Sequence, residues 1–388
     1  DSKVEAKENV EDSRELLRSA KELESFTKFF CKKITLKNTR FDRSLVKDLK
    51  YFKTGLSEIK SKMESLIAHL EINKDRSDGL ANCHTRGVIL FHKLSVWDKE
   101  DGDDDFVSWI EKFSSSIHLN RTPLNISNIF REYVGNRNKA LVFTSATLSI
   151  NNDFSHFINQ LGLDNAVTKT WDSPYDYKRN ARLFLPRGLP DPNDDDYTRS
   201  VVSAALPLIL AAKGRTFFLF TSNQAMLRAE ALLNSDLREN GATFPLLTQG
   251  VMPKSILLKQ FRKLGNAILL GTMSFWEGVD VRGTALSLVI IDRLPFEPPD
   301  DPVLSAKVKM LRKKGKNPFL DYQLPRAILT LRQGAGRLIR DENDTGVLMI
   351  CDPRLVSKSY GKKIWTSLPA MTRSRDTEKM KIFLKSNT

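Results

Sequence analysis

The sequence predicts an α/β protein in which a doubly wound parallel sheet follows a mainly helical segment. After residue 178, short apolar runs alternate with helical patterns, as in repeated βα units. Several of these runs, such as 286–291, are almost continuously apolar, which is typical of strands buried on both faces. Before residue 120, the chain is rich in Lys and Glu, shows helical spacing and has few strand signals.

These patterns divide the 388 residues into three predicted parts, namely 1–120, 121–177 and 178–388. The first part is expected to be helical, with helices over 11–30 and 42–70. The second contains a capped helix and then a short apolar strand at 140–143, before a boundary near Tyr177. In the third part, strands are predicted at 216–220, 244–247, 267–270, 286–291 and 346–350, and helices at 223–237 and 254–264.

Composition narrows the range of partners. The net charge of +14 and the pI near 9.5 favour a polyanion, either nucleic acid or an anionic membrane surface. No membrane span is expected, because the longest apolar run, 201–212, contains Pro207 and is shorter than the ~20 residues that a bilayer requires. The chain opens without a targeting signal. Its three cysteines form no CxxC pair, so we expect no disulfide framework, no metal site and a reducing cytoplasm.

Residues 323–340 predict a helix with one polar stripe. At 100° per residue, Gln333, Arg337 and Arg340 lie within about 60° of one another, and apolar residues occupy the opposite side. Gly334 and Gly336 weaken a helix, which suggests that a phosphate group approaches the backbone here. Guanidinium groups match phosphate oxygens and stabilise charge in phosphoryl transfer. From periodicity alone, a solvated basic face of a surface helix is the more frequent explanation.

The residues QGAGRLIR at 333–340 resemble the last motif of superfamily 2 helicases, in the form found in the DinG and XPD group. The resemblance implies two RecA-like motor domains with ATP between them. Gln333 would sense the terminal phosphate of ATP, and Arg337 and Arg340 would be arginine fingers from the second motor domain. The run 290–303 (IIDRLPFEPPDDPV) resembles the YoaA-like branch of this group.

Three further stretches support the resemblance. TSATL at 144–148 is similar to motif III, which implies that Thr144, Ser145 and Thr147 couple nucleotide state to DNA grip. FTSN at 220–223 is similar to motif IV and implies contacts from Thr221, Ser222 and Asn223 to the DNA backbone, although helix capping alone would also explain these residues.

GTMSFWEGVD at 271–280 is similar to motif V. It implies DNA contacts from Thr272 and Met273 and nucleotide contacts from Gly278 and Asp280. Phe275 and Trp276 either stack on bases or belong to the core, and the core is the more frequent use of at least one of them.

Some parts of a helicase motor do not occur in this sequence. It contains no GxxxxGK[ST] loop, no DEAH pair and no set of four clustered cysteines. We therefore interpret the chain as a carboxyl-terminal portion: an arch-like helical insertion (1–120), the end of the first RecA-like motor domain (121–177) and the second (178–388). The phosphate loop would lie upstream of Asp1, and the chain alone should not hydrolyse ATP.

The resemblance implies an ATP-dependent 5′-to-3′ DNA helicase acting on single-stranded or forked DNA in repair. It implies ATP and Mg²⁺ as cofactors, and a 4Fe–4S cluster whose ligands are not in this sequence. We expect a bacterial, cytoplasmic, nucleoid-associated monomer that meets replication or repair proteins. The alternative is a non-catalytic nucleic-acid-binding or regulatory module with a helicase-like domain.

Overall fold

The computed structural model describes residues 14–34, 39–47, 49–99, 105–135, 140–276 and 285–387. The chain separates into two compact units. The first unit comprises Asp1–Phe130 and Glu297–Pro318, and the second comprises Arg131–Phe296 and Phe319–Thr388. Residues 297–318 thus interrupt the second unit in sequence but belong to the first. The predicted division at residues 120 and 177 remains a prediction about motor-domain boundaries.

The first unit combines long helices with a small antiparallel sheet. Its helices are α1 (Arg14–Lys33), α2 (Lys50–Asn73), α3 (Asp78–Asp98) and α11 (Pro302–Lys313). Its strands, in the order β1-β2-β3, are β1 (Arg40–Asp42), β2 (Phe106–Lys112) and β3 (Ile117–Pro123). The helices predicted over 11–30 and 42–70 correspond to α1 and α2, whereas α3 had no predicted bounds and neither α11 nor the sheet was predicted. The sheet was missed because β1 pairs with β2 across a long stretch of helical sequence, as at Arg40 and Glu111.

An aromatic cluster holds the first unit together. Phe30, Phe52, Trp97 and Ile110 are all buried in it, and the ring centroids of Phe30 and Phe52 lie 5.5 Å apart. The Trp97 Nε1–H donates to the carbonyl of Asn120 at 2.9 Å, which joins α3 to β3. Tilted aromatic pairs and a satisfied indole N–H are the usual features of such a core.

The second unit is organised around a seven-stranded parallel sheet, in the order β10-β4-β9-β8-β5-β7-β6. The strands are β4 (Ala181–Phe184), β5 (Thr216–Leu219), β6 (Leu246–Thr248), β7 (Ile268–Gly271), β8 (Leu288–Ile291), β9 (Gly346–Ile350) and β10 (Thr372–Ser374). Every residue of β5, β7, β8 and β9 is buried, so the predicted α/β fold with a parallel sheet is confirmed.

The helices of the second unit lie before, between and after the strands. They are α5 (Ser155–Leu161), α6 (Tyr177–Asn180), α7 (Tyr197–Ala211), α8 (Asn223–Glu239), α9 (Lys254–Leu264), α10 (Met273–Trp276), α12 (Leu324–Ala335), α13 (Arg354–Ser357), α14 (Gly361–Thr366) and α15 (Thr377–Ser386). The short helix α4 (Ser127–Gly135) precedes them, and Asn125 Oδ1 accepts the Ser127 N–H at its start, at 3.0 Å.

Both faces of the sheet are covered by helices, because the strands alternate apolar side chains to either side. On one face, Phe217 and Val289 pack with residues of α9, α10 and α12. On the other, Phe218 and Ile290 pack with residues of α7, α8 and α15. Phe275 and Trp276 both belong to the first of these layers and are buried, so the core explanation is confirmed for both.

Two predictions of local structure were wrong. Residues 140–143 form no strand, and Leu141, Val142 and Phe143 are 43%, 84% and 41% exposed. An apolar strand requires a hydrogen-bonding neighbour, and no strand in the described residues pairs with residues 140–143.

The helix predicted over 323–340 ends at Ala335, with Gly336 as its C-cap. Arg337 and Arg340 therefore lie beyond it and do not share a helical stripe with Gln333.

No helix in the described ranges is long and apolar enough to cross a membrane.

Two buried aspartates shape the loops at the carboxyl ends of the central strands. Asp292 follows β8, and its Oδ1 accepts the backbone N–H of Thr221 at 3.1 Å and that of Arg293 at 2.7 Å. Asp352 follows β9, and its Oδ2 accepts the N–H of Leu294 at 2.8 Å and an Arg354 N–H at 2.6 Å. Backbone amides that would otherwise be unpaired in the interior are satisfied in this way.

Burial raises the pKa of Asp292 to about 7, and the neighbouring Arg293 guanidinium only partly offsets this effect. Between about pH 4 and pH 7, the folded protein therefore keeps a proton on Asp292 that the unfolded chain has lost. The native state binds more protons in this range, so this group makes the free energy of unfolding fall as the pH rises.

We expect the Asp292→Asn substitution to remove this dependence, because a neutral amide still accepts the Thr221 and Arg293 N–H groups. The difference in unfolding free energy between the two proteins should change by about 1.4 kcal/mol per pH unit between pH 4 and pH 7, and then level off. Urea denaturation at several pH values measures it. Asp195→Asn, which alters an exposed carboxylate, is the control; a constant difference across this range would contradict the assignment.

Candidate functional site

The predicted DNA contacts meet at one edge of the parallel sheet. Thr221–Asn223 follow β5 after Phe220, and Thr272 and Met273 follow β7. Strands β5 and β7 are hydrogen-bonded neighbours, so their carboxyl ends are adjacent. Ligands of doubly wound folds bind in the crevice outside the carboxyl ends of the strands. We refer to this region, Thr221–Asn223 with Thr272 and Met273, as the carboxyl edge.

On the β5 side, the edge is the start of helix α8. Ser222 is the N-cap of α8, and its Oγ accepts the Ala225 N–H at 3.1 Å, so the capping explanation of this residue is confirmed. Asn223 is exposed at the first helical position. The Thr221 N–H is held by Asp292, as described above. The amino terminus of α8 therefore stands at the edge, where its unpaired N–H groups and dipole favour an anion.

On the β7 side, Gln249 organises the edge. Its Oε1 accepts the Thr272 N–H at 2.7 Å and the Thr272 hydroxyl at 3.1 Å. Gln249 follows β6, the neighbour of β7, and the sequence analysis did not select it. The sequence signal was its place just beyond a strand of a parallel sheet, one residue after β6, as Thr272 is one residue after β7 and Thr221 two after β5. The Met273 side chain is exposed beside it.

Arg337 is connected to the carboxyl edge through helix α10. Its Nε and Nη2 donate to the carbonyl of Trp276 at 3.0 Å and 2.6 Å, and its side chain is buried. Helix α10 begins at Met273, so only one helical turn separates the Arg337 contact from the edge. A carbonyl at the end of a helix is a natural acceptor for a cation.

The two glycines near Arg337 have structural roles that the sequence analysis did not foresee. A Cβ on Gly334 would lie 3.0 Å from the Trp276 ring, so the small residue allows α12 to approach that ring rather than a phosphate group. Gly336 ends α12, since its N–H donates to the Arg332 carbonyl at 2.8 Å and the chain then leaves the helix. Trp276 is thus the group that approaches α12 closely.

The backbone of Arg340 is held in a defined loop. The N–H groups of Arg340 and Asp341 donate to Asp344 Oδ2 at 2.8 Å and 2.9 Å. The Arg340 carbonyl accepts the Tyr175 hydroxyl at 2.9 Å, and the Glu342 carbonyl accepts Asn180 Nδ2 at 2.8 Å. The sequence analysis missed Tyr175 and Asp344, because neither lies in the motif that they support.

The segment that contains Thr144, Ser145 and Thr147 lies against helix α12. Arg332 Nη2 donates to the Ala146 carbonyl at 3.0 Å, and Arg332 Nη1 donates to the Ser149 carbonyl. Within the segment, the hydroxyls of Ser145 and Thr147 are 3.1 Å apart, and the Thr147 N–H donates to Ser145 Oγ at 3.2 Å. Burial lowers the pKa of the Arg332 guanidinium, an effect that Tyr177 opposes. Thr144 is exposed.

Other predicted site residues are not joined to these contacts. Gln333 is half-buried in the last turn of α12, next to Arg332. Gly278 and Asp280 lie outside the described residues. Within those residues, no group of three or more His, Cys, Asp or Glu side chains could hold a metal ion. Cys83 is buried in the helical first unit, whereas Cys351 is buried at the end of β9 in the second, where burial raises the pKa of its thiol.

Sequence comparison identifies relatives of this chain. Residues 205–371 match the helicase C-terminal domain family. The chain is 45% identical over 289 residues to the ATP-dependent DNA helicase YoaA of Escherichia coli, covering 74% of this chain and 44% of that protein. It is 33% identical over 340 residues to the 3′-5′ exonuclease DinG of Bacillus subtilis, covering 84% of this chain and 36% of that protein. The chain spans less than half the length of these relatives.

Structural comparison agrees on the fold. An apo XPD structure matches with a TM-score of 0.59 at 17% identity, covering 94% of this chain and 70% of that one. An XPD helicase structure matches with a TM-score of 0.56 at 16% identity, covering 92% of this chain and 61% of that one. These likenesses establish the RecA-like α/β fold, while the sequence matches establish the kinship. This chain belongs to the DinG/XPD family of superfamily 2 helicases, of which it represents a carboxyl-terminal portion.

Proposed function

We propose that this chain is the part of an ATP-dependent DNA helicase that grips DNA and presents arginines to the nucleotide. The observation that supports this most directly is the hydrogen bond from Arg337 to the Trp276 carbonyl. Helix α10 carries that carbonyl and begins at Met273, a predicted DNA contact. A change in the position of Arg337 can therefore reach the carboxyl edge through one short helix.

In the proposed reaction, bound ATP with Mg²⁺ supplies the phosphoryl group whose transfer to water drives movement. Arg337 and Arg340 stabilise the negative charge that develops on the phosphate oxygens, and Gln333 contacts the terminal phosphate. Gly278 and Asp280 complete the nucleotide contacts from the motif V-like stretch. The sequence has no phosphate loop of its own, so this chain alone should not hydrolyse ATP.

The arginine segment (residues 333–340) is suited to hold a phosphate group. Tyr175 and Asp344 fix the backbone around Arg340, and this leaves the guanidinium to be placed by a defined loop rather than by a flexible one. Preorganised donors stabilise a transition state more than mobile ones do.

A 4Fe–4S cluster fits this chain poorly, because it requires four cysteines and the chain has three in two separate units. We therefore assign it no ligand here.

DNA would bind at the carboxyl edge through its phosphates. The start of α8 offers backbone N–H groups, and the hydroxyl of Thr221, the amide of Asn223 and the Thr272 side chain lie beside them. The net charge of +14 adds a non-specific attraction to the polyanion. We propose single-stranded or forked DNA as the substrate, 5′-to-3′ movement and a role in repair, in a bacterial cytoplasmic monomer that meets replication or repair proteins.

The alternative function, a non-catalytic nucleic-acid-binding or regulatory module, rests on the basic charge and on the missing phosphate loop. It would use the same carboxyl edge but would have no role for Arg337 and Arg340 in hydrolysis. Both functions predict DNA binding, so ATP hydrolysis by the intact protein and its dependence on the arginines distinguish them.

We expect Arg337→Ala in the intact, longer protein to lower DNA-stimulated ATP hydrolysis by about 1,000-fold or more, since an arginine finger contributes on this scale. DNA binding without nucleotide should change by less than about threefold. Steady-state ATPase and fluorescence anisotropy measure the two properties. Arg326→Ala, which removes an exposed arginine from the preceding helix α12, is the control.

Because Arg337 is buried, thermal unfolding of the variant must accompany these measurements. Hydrolysis retained in a folded Arg337→Ala protein would contradict the proposed role of Arg337, whereas an intact protein that binds DNA but hydrolyses no ATP would favour the non-catalytic module.

We expect Asn223→Ala and Thr272→Ala each to weaken binding of labelled single-stranded DNA by about threefold to tenfold, because each removes one polar contact to the backbone. The loss should be similar for different base sequences, since phosphates carry no sequence information. Asn240→Ala, at the opposite end of α8, controls for effects on the helix. Unchanged affinity in both variants at a fixed salt concentration would remove the carboxyl edge from the DNA path.

A further inference from the structure

Arg332 makes a contact that neither the motifs nor the proposed roles explain. Its planar guanidinium donates from two nitrogens to two backbone carbonyls, those of Ala146 and Ser149. These carbonyls lie three residues apart on a turn, so a single fork fixes the shape of the turn as well as its position. We call residues 144–149 the coupling turn. A lysine carries one compact ammonium and could not span both acceptors in the same way.

The coupling turn has little regular structure of its own. Residues 141–145 form neither helix nor strand, and the apolar side chains just before the turn are exposed. Phe143 packs on Phe157 with ring centroids 5.7 Å apart, and Ile150 pairs with Asp153 through two backbone hydrogen bonds at 2.9 Å and 3.0 Å and packs in the sheet core. Segments with few buried contacts open at low cost, so one side-chain anchor can dominate their position.

The other end of this contact is helix α12, next to the arginine segment. Arg332 lies in the last turn of α12, and the helix ends three residues later. Tyr177 lies near Arg332 and Arg340, and its neighbour Tyr175 binds the Arg340 carbonyl. The ring centroids of the two tyrosines are 6.2 Å apart. The coupling turn is therefore bonded to the end of α12, the Arg340 loop is bonded to Tyr175, and the charge interaction of Tyr177 with both arginines places these two sets of bonds near each other.

We propose that Arg332 is a positioning residue that ties the coupling turn to the arginine segment. It transmits the position of Ser145 and Thr147 to Arg337 and Arg340 through the end of α12. This inference rests on the proposed function and extends it. In the division predicted from the sequence, the coupling turn belongs to residues 121–177 and α12 to residues 178–388. The contact would then join the two predicted motor domains and change when they close or open on ATP.

Two variants test the paired hydrogen bonds from Arg332 to the Ala146 and Ser149 carbonyls. Arg332→Gln removes the charge and the paired donors, whereas Arg332→Lys keeps the charge and loses the fork. In the intact protein, we expect Arg332→Gln to lower the stimulation factor, the ATPase rate with saturating single-stranded DNA divided by the rate without DNA, by about tenfold. Arg332→Lys should recover only part of this loss. Arg326→Gln, at an exposed arginine of α12, should leave the factor unchanged.

Hydrogen exchange gives a readout that does not depend on activity. Backbone amides of residues 141–149 should exchange at least about threefold faster in Arg332→Gln, while those of the buried strand β8 keep their protection. Faster exchange in β8 as well would mean that the variant is generally destabilised, and this would contradict a specific effect of Arg332 on the coupling turn. Unchanged exchange in the coupling turn would contradict it too.

Different results would contradict the role of Arg332 and the proposed function. If Arg337→Ala is inactive but Arg332→Gln keeps the normal stimulation factor, the coupling role is wrong and the proposed function stands. If Arg337→Ala retains hydrolysis, the proposed function itself is wrong. Faster exchange in the coupling turn together with a lowered stimulation factor supports the inference.

Discussion

The second unit depends on one constraint, the burial of its central strands on both faces. Strands β5, β7, β8 and β9 carry apolar side chains to both sides, so a helical layer must cover each face. Once both faces are covered, polar chemistry is confined to the ends of the strands. The predicted DNA contacts occupy one such end, and the arginine segment follows a helix that covers one face. The positions of the candidate functional groups follow from the burial of the sheet.

The same burial explains the polar groups that do enter the interior. Asp292 and Asp352 lie at the ends of neighbouring strands, where backbone amides of the following loops would otherwise lack acceptors. The cost is visible in Asp292, whose pKa burial raises to about 7. By holding the Thr221 N–H, this carboxyl group also connects the interior of the sheet to the carboxyl edge. One buried residue thus links the core to the candidate site.

Arg332 and Arg337 donate their side-chain hydrogen bonds to backbone carbonyl groups rather than to carboxylates. Arg337 binds the Trp276 carbonyl and Arg332 binds those of Ala146 and Ser149. Neutral acceptors hold a guanidinium less strongly than an ion pair does, so such contacts can exchange when a phosphate competes for the donors. A motor that alternates between nucleotide states requires contacts of this intermediate strength. This reasoning favours a coupling role over a purely structural one for Arg332.

Local sequence patterns determined much of the second unit. The predicted bounds of β9 and α9 agree with the structure, because apolar periodicity and flanking glycines act over a few residues. Candidate residues within two positions of a strand end, such as Thr221 and Thr272, were also found in this way. Tertiary structure decided the antiparallel sheet of the first unit, the end of α12 at Ala335, the packing of Gly334 on Trp276 and the contact of Arg332 with Ala146. The pairing of β1 with β2, the packing of Gly334 and the Arg332 contact join residues far apart in the chain, and such contacts leave no periodic signal in the sequence. The β2–β3 hairpin and the Gly336 C-cap are local features, which the helical pattern expected around them concealed.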